Sequence, residues 1–340
     1  MKKFEEILGY TQEALKSYLS NYLRGTGYKV DSGDGYVFAK GDVPVLLIAH
    51  MDTAHKEIPK TILRLPTPDG IKIAADNSLV GGDDRCGCWM IMNIIKRTKC
   101  HVLFLEDEEN GCIGARKFAK TPHADYIKEN ISFMIELDRR GKNDCVFYSN
   151  DNKEFKSYII EKTGTKEALG SCSDISHLMP ETNVAGVNIS CGYYNEHTKN
   201  EYIMESEMND IMKRVGDFLT NEEEFPKFEY VAKKYESFGN WVSKYNQNYQ
   251  NNYQNNYHQM SFGDYKYASR KEQTLGMKAL RGMEEMCLTV TLNDYGVDVY
   301  GEVYGEEIEA VGKNPAECWA TLFLENEDLS FSMIEDYFFS

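Results

Sequence analysis

Four strand-length apolar segments, VPVLLIA, HVLFLE, ISFMIEL and VAGVNIS, recur through the first part of the chain, separated by stretches with helical spacing. A segment that is apolar at nearly every position has to bury both of its faces, which a half-solvated antiparallel sheet does not allow. Alternating with helices, such segments specify an α/β domain: a three-layer α/β/α sandwich on a mostly parallel mixed sheet. In a sheet of that kind, groups just past the carboxyl ends of the strands gather along one edge. Here those groups share a chemistry. His50 ends the first segment, Glu108 and Glu109 follow the second, Asp138 ends the third, and His197 follows the fourth by a short loop. Asp83 joins them from GGDDRCG, a turn leading into a helix.

Alone, a histidine or aspartate at a strand end is most often a cap or a surface residue. Four strand ends delivering such residues to one edge make coincidence a poor account of the set. Imidazoles and carboxylates together suit hard-to-borderline divalent cations, and a carboxylate left over is available for proton transfer.

At 340 residues the chain calls for one large domain and a smaller one, and a hydrophobic content of 42% is ample for a core. Residues 1–225 are expected to form the α/β domain, opening on an amphipathic helix over 1–24 that carries Phe4, Ile7, Leu15 and Leu19 at helical spacing. Residues 226–269 read as a charged helix, helical in character over 221–243, followed by the Asn/Gln/Tyr tract KYNQNYQNNYQNNYHQM as a linker. Residues 270–340 read as a small α+β unit of βββα pattern. Its strands are CLTVTLN, VDVYGEVY and EEIEAVG, and its helix starts at Asn314 with Pro315 in the first position. This unit shows no catalytic set and is a candidate for binding a protein partner or for self-association.

A net charge of -16 argues against nucleic acid and anionic membrane surfaces as partners. No run reaches the ~18 apolar residues of a membrane span, and the start of the chain carries glutamates where a signal peptide is apolar. The nine cysteines form no CxxC pair, which with the missing signal points to reduced thiols and a cytoplasmic location. Cys86 and Cys88 are expected as buried filler, and His55, His101, His123 and His177 as surface or core residues.

Residues 1 to about 220 resemble the co-catalytic zinc exopeptidases, the group that holds aminopeptidases, tripeptidases, carboxypeptidases and related amidohydrolases. The strings that carry the resemblance are AHMDT, GGDDRCG, EENGCIGA, ELD and EHT. It implies that His50 binds one metal and that Asp52 orients its ring. Asp83, four residues before Gly87, would be the bridging carboxylate in place of Asp84, with a cis peptide after it. Glu108 would be the general base and Glu109 a ligand. Asp138 would complete the metal of His50, and His197 would join Glu109 on the other. The implied cofactors are two divalent ions, zinc first, with manganese or cobalt as alternatives. The implied activity is hydrolysis of short peptides, an aminopeptidase before all, with a deacylase or carboxypeptidase-type amidohydrolase on N-acyl amino acids or dipeptides as the alternative. A metal-free binding module is the reading outside enzymes, and the complete ligand set argues against it. Arg139 and Arg140 are candidates for a fork on a substrate carboxylate or for neutralising an acidic site. Asp174 is a pocket candidate, with a helix or turn cap favoured. Neither His50–Asp83 nor Asp138–His197 leaves room for an inserted lid domain, so a compact catalytic domain is expected.

Overall fold

The computed structural model describes residues 2–55, 58–76, 78–170, 172–233, 289–293, 296–303 and 306–312. Its contacts divide the chain into two units, Met1–Ala232 and Lys233–Ser340. The first unit opens on two helices, α1 (Lys2–Leu8) and α2 (Gln12–Gly25), where the sequence period suggests one. The break follows Gly9, and Thr11 starts α2 by accepting the Ala14 N–H on its hydroxyl at 3.2 Å. Both halves still bury their apolar faces, Phe4, Ile7 and Leu8 on one and Leu15, Leu19 and Leu23 on the other.

The chain continues through β1 (Lys29–Gly33), β2 (Tyr36–Lys40), β3 (Val43–His50), β4 (Ile62–Thr67), β5 (Gly70–Ala75) and α3 (Gly82–Ile94). Next come β6 (Cys100–Leu105), α4 (Ile113–Phe118), α5 (Pro122–Asn130), β7 (Phe133–Arg139), β8 (Asp144–Val146) and α6 (Lys153–Thr163). The unit ends with β9 (Lys166–Glu167), α7 (Asp174–Thr182), β10 (Gly186–Ser190), β11 (Tyr193–Tyr194), β12 (Tyr202–Met204) and α8 (Glu205–Asn221). Eight strands form the main sheet in the order β1-β2-β6-β3-β7-β10-β8-β9. Its centre, β6-β3-β7-β10, is parallel, so the four apolar segments end at the same edge.

The sheet separates two cores, which is why its central strands are apolar throughout. On β3, Val45, Leu47 and Ala49 face one core, while Leu46 and Ile48 face the other. The first core is closed by α1, α2, α3, α6 and α8 through residues such as Phe4, Leu15, Ile91, Phe155 and Val215. The second is closed by α4, α5 and α7 through Phe118, Ile127 and Leu178. The expected three-layer sandwich is what forms.

Helix α3 approaches β7 so closely that only glycine fits at the contact. A Cβ on Gly87 would lie 1.9 Å from the Leu137 carbonyl oxygen and 2.5 Å from Asp84 Oδ2. Gly87→Ala is therefore expected to push the helix off the sheet, at about 1–3 kcal/mol, the usual cost of overpacking. Thermal unfolding of the variant measures this, and an unchanged midpoint would show that the contact yields.

A second, antiparallel sheet, β11-β12-β5-β4, has no counterpart in the sequence reading. It pairs Tyr202 with Ala74 and so ties the chain just after His197 to β5. Beyond α8 the expected charged helix is absent from residues 222–233, which are irregular apart from isolated β-bridges at Glu229 and Ala232. Phe228 N–H donates to the Ser132 carbonyl and the Phe228 carbonyl accepts from Ala185 N–H, both at 2.9 Å. Pro226 explains the difference, because it biases the residue before it away from helix and supplies no N–H. The buried Phe228 ring then gains more as part of the core than on a solvated helix.

In the second unit, β13 (Thr289–Asn293), β14 (Gly296–Val303) and β15 (Glu306–Gly312) form the expected antiparallel meander. The helix expected from Asn314 and the tract over 244–260 lie outside the described residues. Among the described residues, no helix is long and apolar enough to cross a membrane.

Candidate metal centre

His50 is the last residue of β3 and is almost completely buried. Its Nδ1 lies 3.1 Å from Asp52 Oδ1, and its Nε2 lies 3.0 Å from Asp83 Oδ1 and 3.3 Å from Asp138 Oδ1. His197, on the loop between β11 and β12, places Nε2 2.9 Å from Glu109 Oε2 and 3.3 Å from Asp83 Oδ2. Each oxygen of Asp83 thus faces a different imidazole. The donors form two sets, His50–Asp83–Asp138 and His197–Asp83–Glu109, that share Asp83.

The local structure explains this placement. Asp83 sits in the first turn of α3 with non-helical dihedrals (φ -81°, ψ 105°), and the Asp83–Asp84 bond is cis. Glu201 holds the turn, accepting the N–H groups of Gly81 at 2.8 Å and Asp83 at 3.0 Å. Asp84 also lies close to His50 and Asp138. However, its oxygens accept backbone N–H groups, Oδ1 from Gly87 at 2.9 Å and Oδ2 from His50 at 3.3 Å. Asp83 is the carboxylate that faces both rings.

Asp52 accepts from the N–H of Glu108 at 3.0 Å and of Glu109 at 3.1 Å, in addition to its contact with His50. One carboxylate therefore orients the ring and fixes the loop after β6. With Nδ1–H donated to Asp52, the Nε2 lone pair points toward Asp83 and Asp138, as ligation requires. Asp138 is held by the Tyr193 hydroxyl at 3.2 Å and the Ser173 hydroxyl at 3.1 Å, while its N–H donates to Asn188 Oδ1 at 3.0 Å. The Ser173 hydroxyl also reaches the fully buried Glu136 at 2.5 Å. Glu201, Ser173, Tyr193, Asn188 and Glu136 were not marked by the sequence.

The electrostatics reflect a surplus of acid. Burial pushes Asp138 up to about 6 despite His50, and pushes Glu201 up to about 7 despite its backbone donors. Desolvation likewise raises Glu108 and Glu109, partly offset by His50 for the first and by His197 for the second. Hydrogen bonds with Asp83 and Glu109 push His197 up to about 11. His50 rises well above its usual value although burial opposes this, chiefly through Asp138. Asp83 stays below its usual value, since both histidines outweigh its burial. Glu109 Oε1 is buried with no hydrogen-bond partner. Buried anions need a counter-charge, and a pair of divalent cations supplies it to this donor set. The residues fit such ions.

The substrate candidates divide. Arg139 donates to the Leu169 carbonyl at 2.9 Å, and Arg140 pairs at 2.6 Å with Glu196, the residue before His197. Asp174 is not the cap that the sequence reading favoured. Ser173 caps α7 in a capping box with Ser176, and Asp174 is fully buried with both carboxyl oxygens unpartnered. Of the remaining histidines, His101 accepts the Gly41 N–H at 3.2 Å, with burial lowering it to about 4, and His123 pairs with Asp31 at 2.7 Å. A cleft of about 380 Å³ has a mixed lining, with apolar Leu8, Ile58 and Leu79 beside polar Asp52, His55 and Arg85.

An α/β/α sandwich with paired imidazole–carboxylate sets at the parallel strand ends is the frame of a metal-dependent hydrolase. The profile of peptidase family M28 matches residues 38–215, just over half of the chain. The chain belongs to peptidase family M28 and is a metallopeptidase that uses divalent metal. Its fold is similar to a tripeptidase of Staphylococcus aureus (13% identity, TM-score 0.50, covering 64% of this chain and 96% of that one). It is equally similar to the aminopeptidase PepT of Bacillus cereus (14% identity, TM-score 0.50, again 64% and 96%). No curated protein matches the chain by sequence.

Proposed function

We propose that this metallopeptidase is an aminopeptidase for short peptides. In this reading His50, Asp83 and Asp138 hold one zinc ion, and His197, Asp83 and Glu109 hold the second. The observation that carries it is the position of Asp83, each of whose oxygens faces a different imidazole, at 3.0 and 3.3 Å. When bound, the ions lower the pKa of a shared water and polarise the scissile carbonyl.

Everything else is the work of the chain. Glu108 has an oxygen within 4.8 Å of donor atoms of His50 and Glu109, one residue from each donor set, and in this reading it serves as the base and not as a ligand. It takes the proton of the attacking water and returns it to the leaving amine. Asp52 keeps the His50 tautomer fixed, and Ser173 and Tyr193 keep Asp138 in register.

The aminopeptidase reading is favoured over the deacylase by two features. Asp174, whose unpartnered carboxyl interacts with His50, Asp52 and Asp138, adds to the acidic surroundings that a free amino terminus would seek. The arginines that would clamp a substrate carboxylate are held by Leu169 and Glu196. The test is turnover of a panel of free and N-acetylated di- and tripeptides, with metal content measured on the same sample. Peptides with a free amino terminus are expected to be the only ones cleaved, at about two metals per chain. Cleavage of the acetylated set instead would make the protein a deacylase, and an inert chain with full metal occupancy would sink both.

A further inference from the structure

A second group of donors lies beside Glu108. Cys112 precedes α4, Cys172 precedes α7, and His177 is on α7. Cys112 Sγ lies 4.0 Å from Cys172 Sγ, which in turn lies 3.5 Å from His177 Nε2. The three donor atoms all fall within 4.8 Å of one another. Glu108 Oε1 is 3.7 Å from Cys112 Sγ.

These separations match the edges of a coordination tetrahedron. With metal–sulfur bonds of about 2.3 Å and a metal–nitrogen bond of about 2.0 Å, two sulfurs stand about 3.8 Å apart and a sulfur and a nitrogen about 3.5 Å. A carboxylate oxygen at about 2.0 Å stands about 3.5 Å from a sulfur in the same geometry. A disulfide would instead need the sulfurs to close to about 2.05 Å, roughly half their present distance. The Cys112–Cys172, Cys172–His177 and Cys112–Glu108 edges are thus near their tetrahedral values, and Cys112 and His177 stand within 4.8 Å.

We propose that Cys112, Cys172 and His177 form a third site, for a thiophilic divalent ion such as zinc or cadmium, with Glu108 as the fourth donor. The site is distinct in chemistry from the imidazole–carboxylate pair, because thiolates select softer ions. Its occupation withdraws Glu108 from proton transfer, so excess metal inhibits the enzyme that it activates at lower concentration. The inhibitory half rests on Glu108 being the base; the binding half does not.

The test titrates cadmium into the full chain carrying zinc in its paired site. Absorbance records thiolate-to-cadmium charge transfer, to which a centre without sulfur does not contribute. Peptide turnover is followed alongside, each variant relative to its own cadmium-free rate. The expected result is a band that saturates at about one cadmium per chain, with turnover falling at least ~10-fold in parallel, as loss of a general base demands. Cys112→Ser and Cys172→Ser, checked for normal zinc content, are expected to lose both responses. No band, or a band that survives in both variants, would overturn the site. A band with turnover unchanged would overturn the inhibition alone. A chain without any peptide turnover would sink the proposed function, while the absorbance would still decide the site.

Discussion

Glu108→Gln is expected to lower turnover by about two to four orders of magnitude, the range for removal of a general base, while both metals stay bound. The change keeps the size and the backbone of the side chain, so the Glu108 N–H still donates to Asp52 and the loop after β6 holds its place. What disappears is a group able to accept a proton beside His50. The expectation separates Glu108 from its neighbour Glu109, which lies 2.9 Å from His197 Nε2 and is assigned as a ligand in the proposed reading. Turnover numbers and metal content on one preparation give the answer. A variant that retains its rate, or one that loses its metals, would remove Glu108 from the assigned role.

Asp83→Asn is expected to have an effect of a different kind. An amide presents one oxygen and one NH₂, so it can face one cation but not two. Loss of a partner that only orients a ligand costs about 10–100-fold in metal affinity. Losing the shared donor is expected to exceed that range, emptying at least one position and abolishing turnover. The fold is expected to survive, because Glu201 holds the turn through the N–H groups of Gly81 and Asp83, which the substitution leaves alone. Elemental analysis and circular dichroism separate the two consequences. Full occupancy in this variant would assign the bridge elsewhere, with Asp84 the first candidate.

The sequence displayed the central sheet because burial on both faces leaves a strong mark: strands such as β3 have no polar position before His50. The small sheet left none. Its strands run from 2 to 6 residues, and β4 is largely exposed. Residues 222–233 misled because glutamates favour helix in isolation, and the tertiary pull on Phe228 overrides that preference. At the site, the residues at strand ends were legible from position. Their supports were not, since Glu201 acts on Asp83 through one backbone N–H across 118 positions. Ser173, Tyr193 and Asn188 hold Asp138 in the same distributed manner. The Cys112–Cys172 pair spans 60 positions, with no local spacing to announce it.

His50, Asp83, Glu109, Asp138 and His197 reach the centre from five separate segments of the chain. No single supersecondary piece owns more than a fraction of the set, so a partly folded chain has little to offer a cation. Ions that bind only the native state stabilise it by mass action, in proportion to their concentration over their dissociation constant. With ions held there, the acidic cluster would make the stability of the native state depend on metal supply.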